Sequence, residues 1–166
     1  MAMIDGLLQE LDHEAKTTRR VLERVPNEHL GWRPHKKART LGELALHVAG
    51  TPGSVAALAS QAEVQAPDFK DAVPQSASEL IPAHDESIAS AKRLLGGMDD
   101  AALNAMWRMK RNGQDVIAMP RAALLRSIML NHWYHHRGQL SVYLRQLGVA
   151  IPSIYGPSAD ENPFAP

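Results

Sequence analysis

The chain has no cysteine among its 166 residues. That excludes disulfides, thiolate zinc sites, a cysteine nucleophile and dithiol redox chemistry. It has no charge surplus: eighteen Lys plus Arg meet eighteen Asp plus Glu, a formal net charge of zero at neutral pH. Nucleic-acid binders carry a basic excess, so no nucleic-acid partner is expected. No run approaches the ~20 apolar residues of a membrane-spanning helix, so no membrane partner is expected. The opening MAMIDGLLQELDHEAK lacks the basic leader, apolar run and cleavage site of a signal peptide, which points to the cytoplasm. Aromatics are few, three Trp, three Tyr and two Phe. Ala and Leu abound instead, which favours helix over sheet. The length suits one domain over 1–166 with a real core. The residue type present in unusual number is histidine, with eight copies.

Periodicity predicts four long helices. The first runs from about Ala2 to Val25 and stops before Pro26, with Ile4, Leu8, Leu11, Ala15, Thr18 and Leu22 on one face. His13 lies opposite. A basic connector, Asn27–Arg39, contains His29, His35 and Trp32, the tryptophan being suited to pin it to the bundle. Thr40 and Glu43 form a capping-box pair for a second helix reaching about Glu63. Its core face is Leu41, Leu44, Ala45, Val48, Val55 and Ala59, with His47 on the flank. Pro52 should kink it or remove a hydrogen bond.

A loop over Gln65–Gln75 leads to a third helix, starting at Ser78 or Pro82 and ending at Leu95 before Gly96-Gly97. His84, Ile88, Ala91 and Leu95 share its inner face. A short turn over Met98–Leu103 comes next, and Asn112-Gly113 signals a small β-hairpin. The last helix runs from Pro120 to Leu147, with Leu125, Met129, His132, His136, Tyr143 and Leu147 on one stripe and Gln139 at its edge. Four helices with one apolar face each make an all-α four-helix bundle with a hairpin excursion before the last helix.

The segment NHWYHHRGQ concentrates three of the histidines. His132 and His136 are four apart, so they share a face as a two-point metal grip requires. His135 is turned about 80° off that stripe. Two imidazoles on a core stripe need partners, either a divalent cation or hydrogen bonds from backbone, water or Gln139. Positions 133 and 134 are Trp and Tyr, so the HExxH metalloprotease helix is absent. A third ligand has two candidates, His47 and His84, and periodicity favours His84. Glu43 lies one turn before His47. It is suited to accept an imidazole N–H or to act as a base, besides its capping role.

Three blocks carry a resemblance to a known family: GWRPHKKARTLGELALHVAG, HWYHHRGQLSVYLRQLGV and PSIYGPSADENP. With their spacing they resemble the DinB-like family of damage-inducible, metal-dependent-hydrolase-like proteins. The resemblance implies an up-down-down-up bundle with a long crossover, a homodimer, and a divalent metal on three histidines. Carried onto this chain, these are His47, His132 and His136, so the family pattern selects His47 over His84. Three neutral imidazoles leave an open position, the arrangement of a catalytic site. Zinc is the default ion, and nickel or iron(II) also suits imidazole. The implied activity is a metal-dependent hydrolase or thiol transferase acting on a small molecule. Its alternative is a binding module without turnover. Relatives of this fold include enzymes that activate a low-molecular-weight thiol, which a cysteine-free chain takes from solution. The catalytic candidates are Glu43, His84 and Gln139. Arg137 is expected to pair with Asp160 or Glu161 of the tail, and Asp85 and Glu86 are possible bases by location only.

Overall fold

The first helix, α1 (Met3–Leu22), closes one turn before Pro26, slightly earlier than its pattern suggested. The structure is a computed structural model, described here for residues 2–68 and 70–165. On α1 the inner stripe is Ile4, Leu11, Ala15, Thr18 and Leu22, joined by Glu14 and Val21. Trp32 in the following connector meets Tyr143 edge-on with ring centroids 5.5 Å apart.

The second helix, α2 (Leu41–Ala59), starts with a reciprocal capping box. The Thr40 hydroxyl accepts from the Glu43 amide at 3.1 Å, and the Glu43 carboxylate accepts from the Thr40 amide at 2.6 Å. Pro52 sits inside this helix and cannot donate to the Val48 carbonyl. The Trp133 indole N–H takes that carbonyl instead, at 2.7 Å. The next amide, Gly53, donates to the Ser87 hydroxyl at 2.8 Å. A Cβ at Gly53 would fall 2.9 Å from the Ser87 backbone, so glycine is what lets the third helix approach here.

The second helix ends at Ala59 and does not reach Glu63, as its sequence had suggested. The reason lies at its C-terminus. The buried Arg121 guanidinium donates to the Ala59 carbonyl at 2.8 Å and, more weakly, to Gln61 at 3.4 Å. A cation there complements the helix dipole. The chain then forms an unforeseen strand, β1 (Glu63–Gln65), parallel to the hairpin, with Val64 opposite Met109.

The third helix, α3 (Leu80–Leu95), is entered through a single 3-10 turn over Ala77–Glu79, and Pro82 lies in its first turn, where its missing N–H costs nothing. A short α4 (Asp100–Asn104) leads to the hairpin β2 (Met106–Arg111) and β3 (Gln114–Pro120). Asn112 and Gly113 both take positive φ, 52° and 78°, as a two-residue hairpin turn demands. The sheet order is β1-β2-β3. Trp107 and Met109 turn inward from β2, and Trp107 is fully buried. The molecule is therefore mainly helical with a three-stranded sheet, not an all-α bundle with a bare hairpin.

The last helical rod contains a second departure from the expected pattern. It comprises α5 (Arg121–Leu124), a π-helical segment (Leu125–Asn131) and α6 (His132–Gln146). In the π-helical segment, i→i+5 bonding holds an extra residue per turn. The inner face therefore shifts by one position. It runs through Leu125, Met129 and Leu130, then Trp133, Arg137, Leu140 and Leu144. The stripe read from the sequence placed His132 and His136 at the centre of that face. The shift puts His132 beside it, half-buried, while His136 stays buried on its flank.

Arg137 is 1% exposed and does not pair with the tail acids, contrary to expectation. Its guanidinium lies 2.6 Å from the buried Glu14 carboxylate and donates to Thr18 at 3.0 Å. It also contacts the Tyr155 hydroxyl and lies over the Tyr134 and Tyr155 rings. The tail acids have other partners: Asp160 pairs with Arg145, and Glu161 with Arg20 and Arg24. Among the described residues, no helix is long and apolar enough to cross a membrane.

Candidate metal centre

Three imidazoles converge between α2 and α6. Each of His47, His132 and His136 offers a ring nitrogen, and these atoms all lie within 4.8 Å of one another. The Nε2 atoms of His47 and His132 are 3.0 Å apart. Ring centroids are separated by 4.3 Å for His132–His136, 4.6 Å for His47–His136 and 5.2 Å for His47–His132. Nitrogens bound tetrahedrally to one zinc lie about 3.3 Å apart, given Zn–N bonds of about 2.0–2.1 Å. The group therefore fits an ion with small side-chain adjustment.

The local sequence explains the convergence. The four-residue step stacks His132 over His136 on α6. The Pro52 vacancy in the ladder of α2 receives Trp133, the neighbour of His132, on the Val48 carbonyl, the neighbour of His47. That bond ties the two helices together at the level of the histidines. The π-helical segment sets the rotation.

The electrostatics favour neutral rings. Burial, then the positive charge of Arg39 and of the neighbouring rings, depresses His47 to about 4. Burial likewise depresses His136 to about 4, although its bond to Gln139 acts in the opposite sense. His132 is also lowered, by burial first and then by Arg39. All three can thus present a lone pair at neutral pH, the form a metal requires.

Gln139 accepts from Nδ1 of His136 at 2.7 Å. That bond places the ring proton on Nδ1 and leaves Nε2 as the available ligand atom. Gln139 is therefore a supporting residue to His136.

His84 lies apart from the group. It is 3% exposed, stacks on the far-reaching Trp133 ring at 6.4 Å, and bonds through Nδ1 to Asp85 at 3.2 Å. Among the described residues, its Nε2 has no hydrogen-bond partner. Periodicity identified it correctly as inward-facing but could not show that α3 packs on the other side of Trp133. Asp85 is exposed and held by Arg19 at 2.6 Å, so it serves that ion pair and not the three histidines. His13, His35 and His135 are exposed, and His29 is half-buried in the connector.

A cavity of ≈ 500 Å³ opens beside His47 and His132. Glu43 and Arg39 stand on its wall, while Val55, Leu58, Trp107 and Met109 form much of its apolar side. Sequence reasoning missed Arg39 as a site residue. It ends the basic connector over Asn27–Arg39, and its place beside the histidines depends on tertiary packing that the sequence does not show.

The family profile of the DinB family matches residues 2–163. The chain belongs to the DinB family. It is 32% identical over 161 residues, 95% of this chain and 91% of the relative, to the uncharacterized protein YrdA of Bacillus subtilis (strain 168). Among solved structures it is similar to a DinB-like protein from Bacillus cereus, with TM-score 0.70, 26% identity, and coverage of 91% of this chain and 97% of that one. It shares its fold with YfiT from Bacillus subtilis, at TM-score 0.66, 16% identity and 89% coverage of each chain. YfiT has an unusual four-helix bundle topology.

Proposed function

We propose that this chain holds one divalent metal ion on His47, His132 and His136 and is a metal-dependent hydrolase of a small molecule, with zinc as the default ion. The observation that carries this reading is the meeting of three neutral imidazoles, two of which, His47 and His132, line a ≈ 500 Å³ cavity. YfiT, which shares the fold, is described as a probable metal-dependent hydrolase. In the same reading the long helices follow the up-down-down-up order of the family.

A three-histidine site with an open position supplies Lewis-acid chemistry and makes a water or thiol there more acidic. The protein's own residues do the rest. Gln139 orients His136. Glu43 is the one of the three catalytic candidates that lines the cavity, and we assign it the role of proton acceptor. The carboxylate oxygen that accepts from Thr40 is already engaged, so the proton would go to the other. His84 and Gln139 lie outside the cavity wall.

The test is zinc content and hydrolysis of a panel of small esters and amides by the wild type, His132→Ala and Glu43→Gln. His132→Ala should lose zinc and turnover together. Glu43→Gln keeps the capping box, because glutamine also fits it, and should keep zinc while losing about 10²-fold or more in kcat. Stoichiometric zinc with no hydrolysis of any panel member would favour a binding module. Turnover that appears only with an added low-mass thiol would favour the thiol-transferase reading, since the chain has no cysteine of its own.

A further inference from the structure

The same cavity identifies the class of molecule it takes, an inference that rests on the metal reading above. Its wall carries two cations, Arg39 and Lys70, and two anions, Glu43 and Asp71. These cancel. Three neutral imidazoles neutralise none of the charge of a divalent ion, so the loaded site is left with a net positive centre. A ligand that enters it is therefore favoured if it brings an anion to the histidine end.

Arg39 indicates which anion. It lines the same cavity as His47 and His132. Its Nε already donates to the Asp71 carboxylate at 2.8 Å, and Asp71 is exposed. Among the described residues, its two Nη groups have no hydrogen-bond partner. A guanidinium fork fits a planar carboxylate with two parallel bonds. Beyond this polar end the wall is apolar. Val55 and Leu58 come from α2, Trp107 and Met109 from β2, Ile117 from β3, and Leu124 from the last helical rod. Half of these six residues come from the sheet, which gives the three-stranded insertion a role in the site.

The geometry points to a carboxylic acid with an extended apolar body as the ligand class. The carboxylate lies at the histidine end against Arg39, and the body lies along the sheet side of the cavity. Arg39 is the specificity-determining residue for the head, and Leu58 borders the space for the body.

The experiment is calorimetric titration of the zinc-loaded protein with octanoate, acetate and 1-octanol, with zinc affinity measured separately for each variant. Octanoate should bind at least about tenfold more tightly than either acetate or octanol. Arg39→Met should lose about tenfold or more of octanoate affinity while zinc is still bound. Leu58→Trp should fill the cavity, leaving octanoate no better than acetate, again with zinc retained. Octanoate binding no tighter than acetate in the wild type, or unchanged in Arg39→Met, would overturn the inference. Failure to bind zinc would overturn the metal reading separately. In that case octanoate binding to the metal-free protein that vanishes in Arg39→Met would support the ligand class, and its absence would overturn it.

Discussion

Replacing Trp133 with Phe removes the donor that the proline-interrupted second helix depends on. Trp133 is fully buried, and its indole N–H is bonded at 2.7 Å to the Val48 carbonyl. That carbonyl has lost its intrahelical donor to Pro52. The substitution thus orphans a buried acceptor, at a cost of about 1–3 kcal/mol. The void left by the smaller ring adds about 1 kcal/mol. The total, about 2–4 kcal/mol, should lower the midpoint of thermal unfolding by roughly 5–15 °C in a domain of this size. A second substitution isolates the hydrogen-bond part. Pro52→Ala returns an N–H at the position that faces the Val48 carbonyl. In Trp133→Phe/Pro52→Ala the acceptor is satisfied again and only the void remains. The double variant should therefore be about 1–3 kcal/mol more stable than the two single effects added together. Urea denaturation of the four metal-free proteins, with equal slopes, measures that coupling directly. Additivity within about 0.5 kcal/mol would refute the idea that Trp133 substitutes for the missing ladder bond.

His47 and His136 sit near about 4 when folded, against an ordinary value of 6.5. Between those values the unfolded chain binds more protons, so the metal-free protein should lose stability as pH falls from about 6.5 to about 4 and change little from this source above it. A urea midpoint that stays flat across that window would contradict the burial of these rings. Arg137→Met strands the buried Glu14 carboxylate 2.6 Å away and should cost about 3–5 kcal/mol. Arg137→Met/Glu14→Leu should recover part of that loss in the same unfolding assay. His84→Phe removes the unpartnered Nε2 while keeping a ring against Trp133, and should change stability by about 1 kcal/mol or less. Its zinc affinity, read by competition with a chromophoric chelator, should match the wild type.

Much of this architecture was legible in the chain because it rests on local rules. The Thr40–Glu43 capping box, the Asn112-Gly113 turn and the stop before Pro26 each follow from a few adjacent residues. The Pro52 defect was legible too, but its partner was not, since Trp133 is far away in sequence. The short strand Glu63–Gln65 escaped notice because three residues carry little periodicity, and Arg121 ends α2 through a tertiary bond. A regular helical wheel could not foresee the π-helical segment, so it placed the half-buried His132 at the centre of the inner face, whereas His136 is buried as expected. The pair was still recognised, because its four-residue spacing lies wholly within α6. His47 was selected by family pattern, against a wheel that preferred His84. A wheel shows that a side chain faces inward but not which neighbour it meets there. Arg137 illustrates the same limit: its charge predicted an acidic partner, and only the packing of α1 against α6 reveals Glu14.

The central claim is that His47, His132 and His136 act together as one metal site. Zinc titration of the wild type and of the His47→Ala, His132→Ala, His136→Ala, His84→Ala and His135→Ala variants tests it most directly. The account predicts one ion per chain in the wild type, a loss of about tenfold or more in affinity for each of the first three, and little change for the last two. Absence of stoichiometric binding in the wild type, or a loss in His84→Ala with none in His47→Ala, would contradict it.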